Sequence, residues 1–529
     1  MKKFWVILLS LGLIVAFAMP AAAVDVKFSG TYYAQGFYVD NPSVLDKNAP
    51  ADTATSTTWA NNPYRGANAW YGQQFRLTTE FQVVEGLKLV TRFDAMEKRW
   101  GDQAWAGGTG ETQSRTQTPG GTPGNNSGSA KAGAATAKAQ ENIEWERAYL
   151  DFNVPFGKFQ VGYMQFLTWG TPFLNTPLTA GGIRYFYANG PVQVVAAIEK
   201  RAEYVGLNAA NIGIANDADK DLYDLGITYK FAPGQAGLLY QYLRSGQNKW
   251  QQGNGYLTQI NGFYPYAQLT FGNFYIEAEG VYGTGTLRSY EDTTKVPTSG
   301  GAAADGSKAQ NVSLTAWGAY INAKYNFKPA YVGAQFVYLG GDDNSNADKV
   351  TGNIAGPLQA NYGFNRSLIL WNSDYGDNLG AMYGNMPGYG TTAAAATQAQ
   401  YFNRRTGGTY AVNQFMDNVW FYQIYAGFKP MPKMDIKASF SIATADKAPK
   451  SDVGTVGQAG YYTGAAVKEF TSKSYGNEFD LTAEYKIYDN LTYMIGMGYL
   501  WTGDYFKGYD STATVKDNYL LTHKLSLNF

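Results

Sequence analysis

From residue 24 to its end the chain repeats one unit. A segment of alternating bulky apolar and polar residues meets a turn of two to four residues. A second alternating segment follows, and then a long polar connection. A period of two sends successive side chains to opposite faces of a strand, so each pair of segments predicts a hairpin. The turns fall at Val84 to Gly86, Pro155 to Gly157, Asn189 to Pro191, Pro233 to Gln235, Gly272-Asn273, Lys328 to Ala330, Pro430 to Lys433 and Asp489-Asn490. Gly, Asn and Asp tolerate the positive φ that tight hairpins need, and Pro presets the first dihedral of a turn. Eight hairpins predict sixteen strands. The flanking segments "VDVKFSGTYYAQGFYV" and "NYLLTHKLSLNF" each add one, which predicts eighteen, with sixteen as the fallback. The hairpin at Asn189 to Pro191 is the weakest, because its first strand, read as Gly182 to Ala188, is short. Pro265 is expected at a strand rim, since proline cannot donate to a ladder.

Alternation alone does not say which face is wet. Phe75, Leu77, Phe81 and Val83 oppose Gln74, Arg76, Thr78, Glu80 and Gln82; Phe479, Leu481, Ala483, Tyr485 and Ile487 oppose Glu478, Asp480, Thr482, Glu484 and Lys486. A soluble sandwich would turn the apolar row inward, whereas a membrane barrel would turn it to lipid. Three features choose the barrel. Short turns alternate with long connections, giving one short-looped and one long-looped end. Aromatic residues gather at segment ends, as in Trp70-Tyr71, Trp420 to Tyr422 and Tyr499 to Trp501. The strands are also too many for one small sandwich. Composition agrees: 42 Tyr, 29 Phe and 12 Trp accompany a charged fraction of only 16%, and such rings suit a boundary between water and an apolar medium. The expected fold is all-β: an antiparallel up-and-down transmembrane barrel with short periplasmic turns and long extracellular loops.

Residues 1–23 read as a secretory signal peptide. Lys2 and Lys3 precede a short apolar run, and Ala21-Ala22-Ala23 forms a small-residue cleavage site. Residues 24–529 then form a single barrel domain. Losing both lysines leaves a net charge of about −2, which offers no electrostatic footprint for nucleic acid. The absence of Cys excludes disulfides, thiolate nucleophiles, iron–sulfur clusters and covalent c-type haem. His523 is the only histidine.

Among the long connections, two stand out. Residues 101–141 contain a Gly/Thr/Ser/Ala tract of low complexity, and residues 342–417 are rich in rings, including Phe364 and Trp371. A long ring-rich loop is expected to pack, either into the barrel mouth or across it.

The inward rows of the early strands supply Arg76, Arg92, Arg147, Arg184 and Arg201, with Lys88 and Lys98, beside the acids Glu80, Asp94, Asp151 and Glu199. Later strands offer lysines and acids but almost no inward arginine. A one-sided arginine arc would set a transverse field in a pore, against the plainer reading of ion pairs that keep a wet wall soluble. The run "GDDNSNAD" spaces Asp342, Asn344, Asn346 and Asp348 at alternate positions, but it lacks the turn glycine and bidentate Glu of a calcium loop, so a solvated apex is the better reading. No metal site, cofactor or enzymatic activity is expected. His523 has no Ser and third polar group beside it in the local pattern, as barrel hydrolysis would require.

The last segment places Tyr519, Leu521, His523, Leu525, Leu527 and Phe529 on one face and ends on the aromatic. That ending resembles the closing strand and sorting signal of Gram-negative outer-membrane barrels. Over residues 24–529 the chain resembles the outer-membrane general-diffusion porins. The resemblance implies passive diffusion of small hydrophilic solutes, a homotrimer embedded in outer-membrane lipid, and no energy-coupling plug, since the first strand follows the cleavage site directly. His523, outward and near the seam, is expected at a subunit interface. The alternative is a barrel sheathing a partner, such as the cytochrome of an electron conduit.

Overall fold

The computed structural model describes residues 25–41, 44, 67–100, 143–166, 168–173, 178–203, 219–247, 249, 255–294, 311–342, 348–352, 364–372, 418–448, 469–507 and 514–529. The signal peptide and the whole of residues 101–141 lie outside them. Lys98 lies on a described strand, but its side chain is outside the described residues.

After β1 (Asp25–Asp40) the hairpins follow in chain order. They are β2 (Asn68–Val84) with β3 (Leu87–Arg99), β4 (Glu144–Val154) with β5 (Gly157–Phe166), and β6 (Leu178–Asn189) with β7 (Val192–Ala202). Next come β8 (Lys220–Phe231) with β9 (Gly234–Ser245), β10 (Tyr256–Phe271) with β11 (Phe274–Tyr290), and β12 (Val312–Phe327) with β13 (Ala330–Leu339). A two-residue strand, β14 (Lys349–Val350), lies parallel beside β12. The last hairpins are β15 (Val419–Met431) with β16 (Met434–Thr444) and β17 (Ser474–Tyr488) with β18 (Leu491–Thr502), before the final β19 (Asn518–Asn528).

The eighteen long strands pair antiparallel with their chain neighbours, and β19 pairs with both β18 and β1, so the sheet closes on itself. Closure leaves no exposed sheet edge. At the seam, Gly30 and Phe529 exchange backbone hydrogen bonds of 2.8 and 3.0 Å. A Cβ at Gly30 would overlap the Phe529 ring, so the glycine makes room for the terminal aromatic. All eight expected turns form, each with two residues between strands. Gly86, Gly190 and Gly272 hold φ of 79°, 56° and 60°, the left-handed values that glycine adopts at no steric cost.

Two expectations are corrected. The first strand of the Asn189 to Pro191 hairpin is not short: β6 starts at Leu178, because Thr179 to Gly182 pair across to β5. Pro265 stands mid-strand, not at a rim. The β10–β11 ladder skips from Phe263↔Tyr282 to Tyr266↔Glu279 around it without losing register, and Gly280 lies beside the proline ring.

The outward rows are apolar. Leu150, Val161, Ile183, Ile198, Ile227, Ile321, Ile424 and Ile495 are all exposed. Exposed rings flank this belt, with Phe28, Phe156, Tyr229, Phe271 and Tyr488 toward the turns and Trp145, Trp317 and Trp501 toward the loops. A wide exposed apolar belt would be costly in water and is the surface a bilayer covers.

Candidate functional site

The barrel interior is the candidate site, and its wall is of two kinds. On β2 to β7 the inner face carries charge paired with charge. The Arg76 guanidinium donates to Asp94, with Nε–Oδ1 at 2.7 Å, and Gln74 Nε2 donates to the same carboxylate at 3.1 Å. Glu146 ties this pair to the next strand, reaching Arg76 at 3.6 Å and pairing with Arg92. Lys88 pairs with Glu80 at 2.9 Å, and Lys158 with Asp151 at 2.7 Å. Arg147 donates to the side chain of Gln165 and Arg184 to its backbone carbonyl, while the Arg184 guanidinium lies 4.6 Å from the centre of the Phe166 ring. Arg201 pairs with Glu199. Ten of the eleven charged residues expected on the inner face of these strands thus make lateral contacts, while the side chain of Lys98 lies outside the described residues.

Glu146 was not legible from alternation, which sends it to the face opposite Arg147. The β3–β4 register shifts between Arg92 and Phe93, and that bulge turns Glu146 and Arg147 to the same side.

The loop-end half of the wall from β8 to β19 differs. Its inner face is buried and largely apolar, with Leu222, Leu243, Ile260, Leu314, Val337, Phe421, Leu500 and Leu520 at 3% exposure or less, interrupted by buried polar groups such as Glu279, Gln423 and Glu478. Two segments fold in from the loops to cover it. In residues 168–173, the Thr171 amide and hydroxyl both donate to Glu279, at 2.8 and 2.5 Å. The Trp169 indole donates to the Tyr264 carbonyl at 2.9 Å, where Pro265 interrupts the ladder. In residues 364–372, the amides of Ile369 and Leu370 donate to the two oxygens of Glu478, at 2.6 and 2.7 Å. Gln423 donates to the Arg366 carbonyl at 2.7 Å, and Trp371 packs edge-on against Phe421 at 5.4 Å. Carboxylate acceptors suit loop amides that have no ladder partner. The segments meet inside the barrel, where Phe173 and Phe364 stand 5.4 Å apart and both pack on Tyr320. Part of the 342–417 loop thus lies within the barrel.

Asp342 accepts the Thr351 amide at 2.7 Å, while Asn344 and Asn346 lie outside the described residues. On β19, Tyr519, Leu521, His523, Leu525 and Leu527 share the outer face. His523 faces Gly36 in register, where a Cβ would overlap its Nε2, and it sits between the rings of Tyr71 and Tyr493 at 5.5 and 6.0 Å.

No family model matches the sequence, and no curated protein matches it. Among solved structures the chain is similar to OccK9 (OpdG) of Pseudomonas aeruginosa, with TM-score 0.42 and 11% identity over 96% of this chain and 99% of that one. It is similar to OccAB2 of Acinetobacter baumannii, with TM-score 0.45 and 12% identity over 95% and 98% of the two chains. It also resembles a loop L8 deletion mutant of OmpT, an outer membrane protein of Vibrio cholerae, with TM-score 0.34 and 11% identity over 95% and 99%.

Proposed function

We propose that the protein is an outer-membrane porin of a Gram-negative bacterium, a passive channel for small hydrophilic solutes and ions. The observation that carries this reading is the pairing of faces: a closed sheet with an apolar outer belt and, from β2 to β7, an inner face of charged side chains. Charges on that side need water, so the lumen is wet along the wall. The inward-folded segments narrow the interior and direct solutes along the arginine-bearing side. Each arginine has a polar partner there, and an acid for Arg76, Arg92 and Arg201, which fits weak rather than strong ion selectivity.

A sheath for a partner protein is the weaker reading, because residues 168–173 and 364–372 already occupy the interior such a partner would fill. We read the porin as a homotrimer with His523 near a subunit contact. Its ring stands on the outer row with no hydrogen bond to a described residue, and a polar ring gains from a partner there. His523→Leu should weaken the oligomer on unboiled gels while the barrel still folds; an unchanged oligomer would remove the residue from the interface.

Reconstitution into planar bilayers tests the channel itself. Discrete conductance steps, with swelling of liposomes in small sugars, are expected. A folded barrel that yields neither would contradict the porin reading.

A further inference from the structure

The largely apolar half of the wall carries two carboxyl groups side by side. Glu478 and Asp480 are successive inner-face residues of β17, exposed at 0% and 4%, and the inward-folded segment 364–372 lies over both. Glu478 turns its two oxygens to the Ile369 and Leu370 amides, at 2.6 and 2.7 Å. Asp480 is less well satisfied. Its Oδ2 accepts the Ser439 hydroxyl at 3.3 Å and its carboxyl faces the Leu368 amide, but its Oδ1 is buried without a hydrogen-bond partner. A Cβ at Gly498 would meet that oxygen at 2.9 Å, Leu368 at 3.1 Å and Ile369 at 3.3 Å, so this glycine leaves the room in which the segment closes down on Asp480. The two carboxyl groups lie within hydrogen-bonding reach of each other.

The surroundings of this pair supply hydroxyls and apolar groups rather than a matching charge. Ser441 and Ser439 of β16 stand in register with Glu478 and Asp480, and Leu500 and Gly498 of β18 do so from the other side. Gln423 of β15 donates to Ser441 at 2.8 Å. The cation that faces the pair from β16 is Lys437, which is shared with Asp435 and Glu484 and stands 5.0 Å from the centre of the Tyr425 ring. Arg366 of the segment turns to Gln335 at 3.3 Å and to the Phe364 ring at 3.8 Å. Among the described residues neither carboxyl forms an ion pair. Two bare carboxylates in contact, shut away from water, repel each other, whereas one proton held between them gives the orphaned oxygen a hydrogen bond. Facing an open lumen, the same two groups would be hydrated and would ionise as ordinary carboxylates.

We propose that Glu478 and Asp480 hold one proton between them when residues 364–372 are docked, so that the segment closes by taking up a proton and is released as pH rises. Asp480 is then a positioning residue. As the neutral partner it donates to Glu478, whose remaining charge faces the Ile369 and Leu370 amides. The docked state binds one proton more than the open one, so docking strengthens as pH falls and weakens as pH climbs, by at most about tenfold per pH unit. The device goes beyond the channel reading, because a barrel that conducted nothing would still dock its segment in this way.

Hydrogen exchange read by mass spectrometry on the whole barrel in detergent tests this without any current. Protection of the peptide that contains Ile369 and Leu370, corrected for the intrinsic pH dependence of exchange, should fall by about tenfold or more between about pH 6 and about pH 9. Peptides from β2 to β7 should keep their protection over the same range. Asp480→Asn is neutral at every pH and should hold the segment protected throughout. Infrared difference spectra of the unsubstituted protein supply a readout that needs no variant: a protonated-carboxyl band should be present at neutral pH and should disappear as protection is lost. Three results would overturn the proposal: protection in the parent that is flat with pH or falls in acid, an Asn variant that loses protection as the parent does, or a parent without the carboxyl band at neutral pH.

Discussion

The two halves of the barrel wall share one strand geometry but solve different problems. On β2 to β7 the inner side chains are charged and satisfy one another sideways, as in the cluster of Arg76, Asp94, Arg92 and Glu146. On β12 to β18, toward the loops, the inner side chains are mostly apolar and are covered by chain that folds back onto them, as Phe421 is by Trp371, with Glu478 and Gln423 as polar anchors. The difference teaches that alternation fixes which face a side chain takes but not the medium that face meets. A wet wall can be built strand by strand. A dry wall needs partners from far along the sequence.

The largest effect is expected where that dry packing is deepest. Trp371 is fully buried, so Trp371→Ala should weaken the docking of residues 364–372 by about 3–5 kcal/mol. Single-channel current should rise as the segment leaves the interior. Unchanged current would put the segment outside the permeation path and erase the contrast between the walls.

A smaller loss is expected at the polar anchor of the same segment. Glu478→Ala removes the acceptor for the Ile369 and Leu370 amides, a loss on the order of 3 kcal/mol. Limited proteolysis from the extracellular side should cut the segment faster while barrel mobility on unboiled gels stays the same. Equal cleavage rates would show that apolar packing alone holds it.

On the wet wall the expected change is electrical. Arg76 is about one-third exposed, so its pairing with Asp94 contributes only about 1 kcal/mol, and Arg76→Ala with Arg92→Ala should leave the fold intact. The reversal potential in a salt gradient should move toward cation preference. A potential that stays put would reduce these arginines to structural ion pairs.

Much of this contrast could be read from the sequence on one side and little on the other. The eight turns were legible because Gly, Asn, Asp and Pro mark tight hairpins locally, and the inner placement of Arg76 and Asp94 followed from parity. Glu146 was hidden by a bulge, which shifts parity without a residue signature of its own. The dry wall was illegible for a different reason. Val337 and Phe421 interrupt no local rule, and strands apolar on both faces show no clean alternation. Their covering partners, Trp371 and Phe173, lie in connections whose fold depends on contacts more than a hundred residues away for Thr171 with Glu279 and for Ile369 with Glu478.

The chain contains no cysteine, so single cysteines report directly on which wall is wet. Gln160→Cys would stand among the arginine networks, and Val337→Cys beneath the inward-folded segments. In reconstituted channels, a charged, membrane-impermeant thiol reagent should label the first rapidly and alter the current at once, and should leave the second unlabelled until the segment is displaced. Equal labelling at the two positions would contradict the division of the barrel into a wet wall and a packed one.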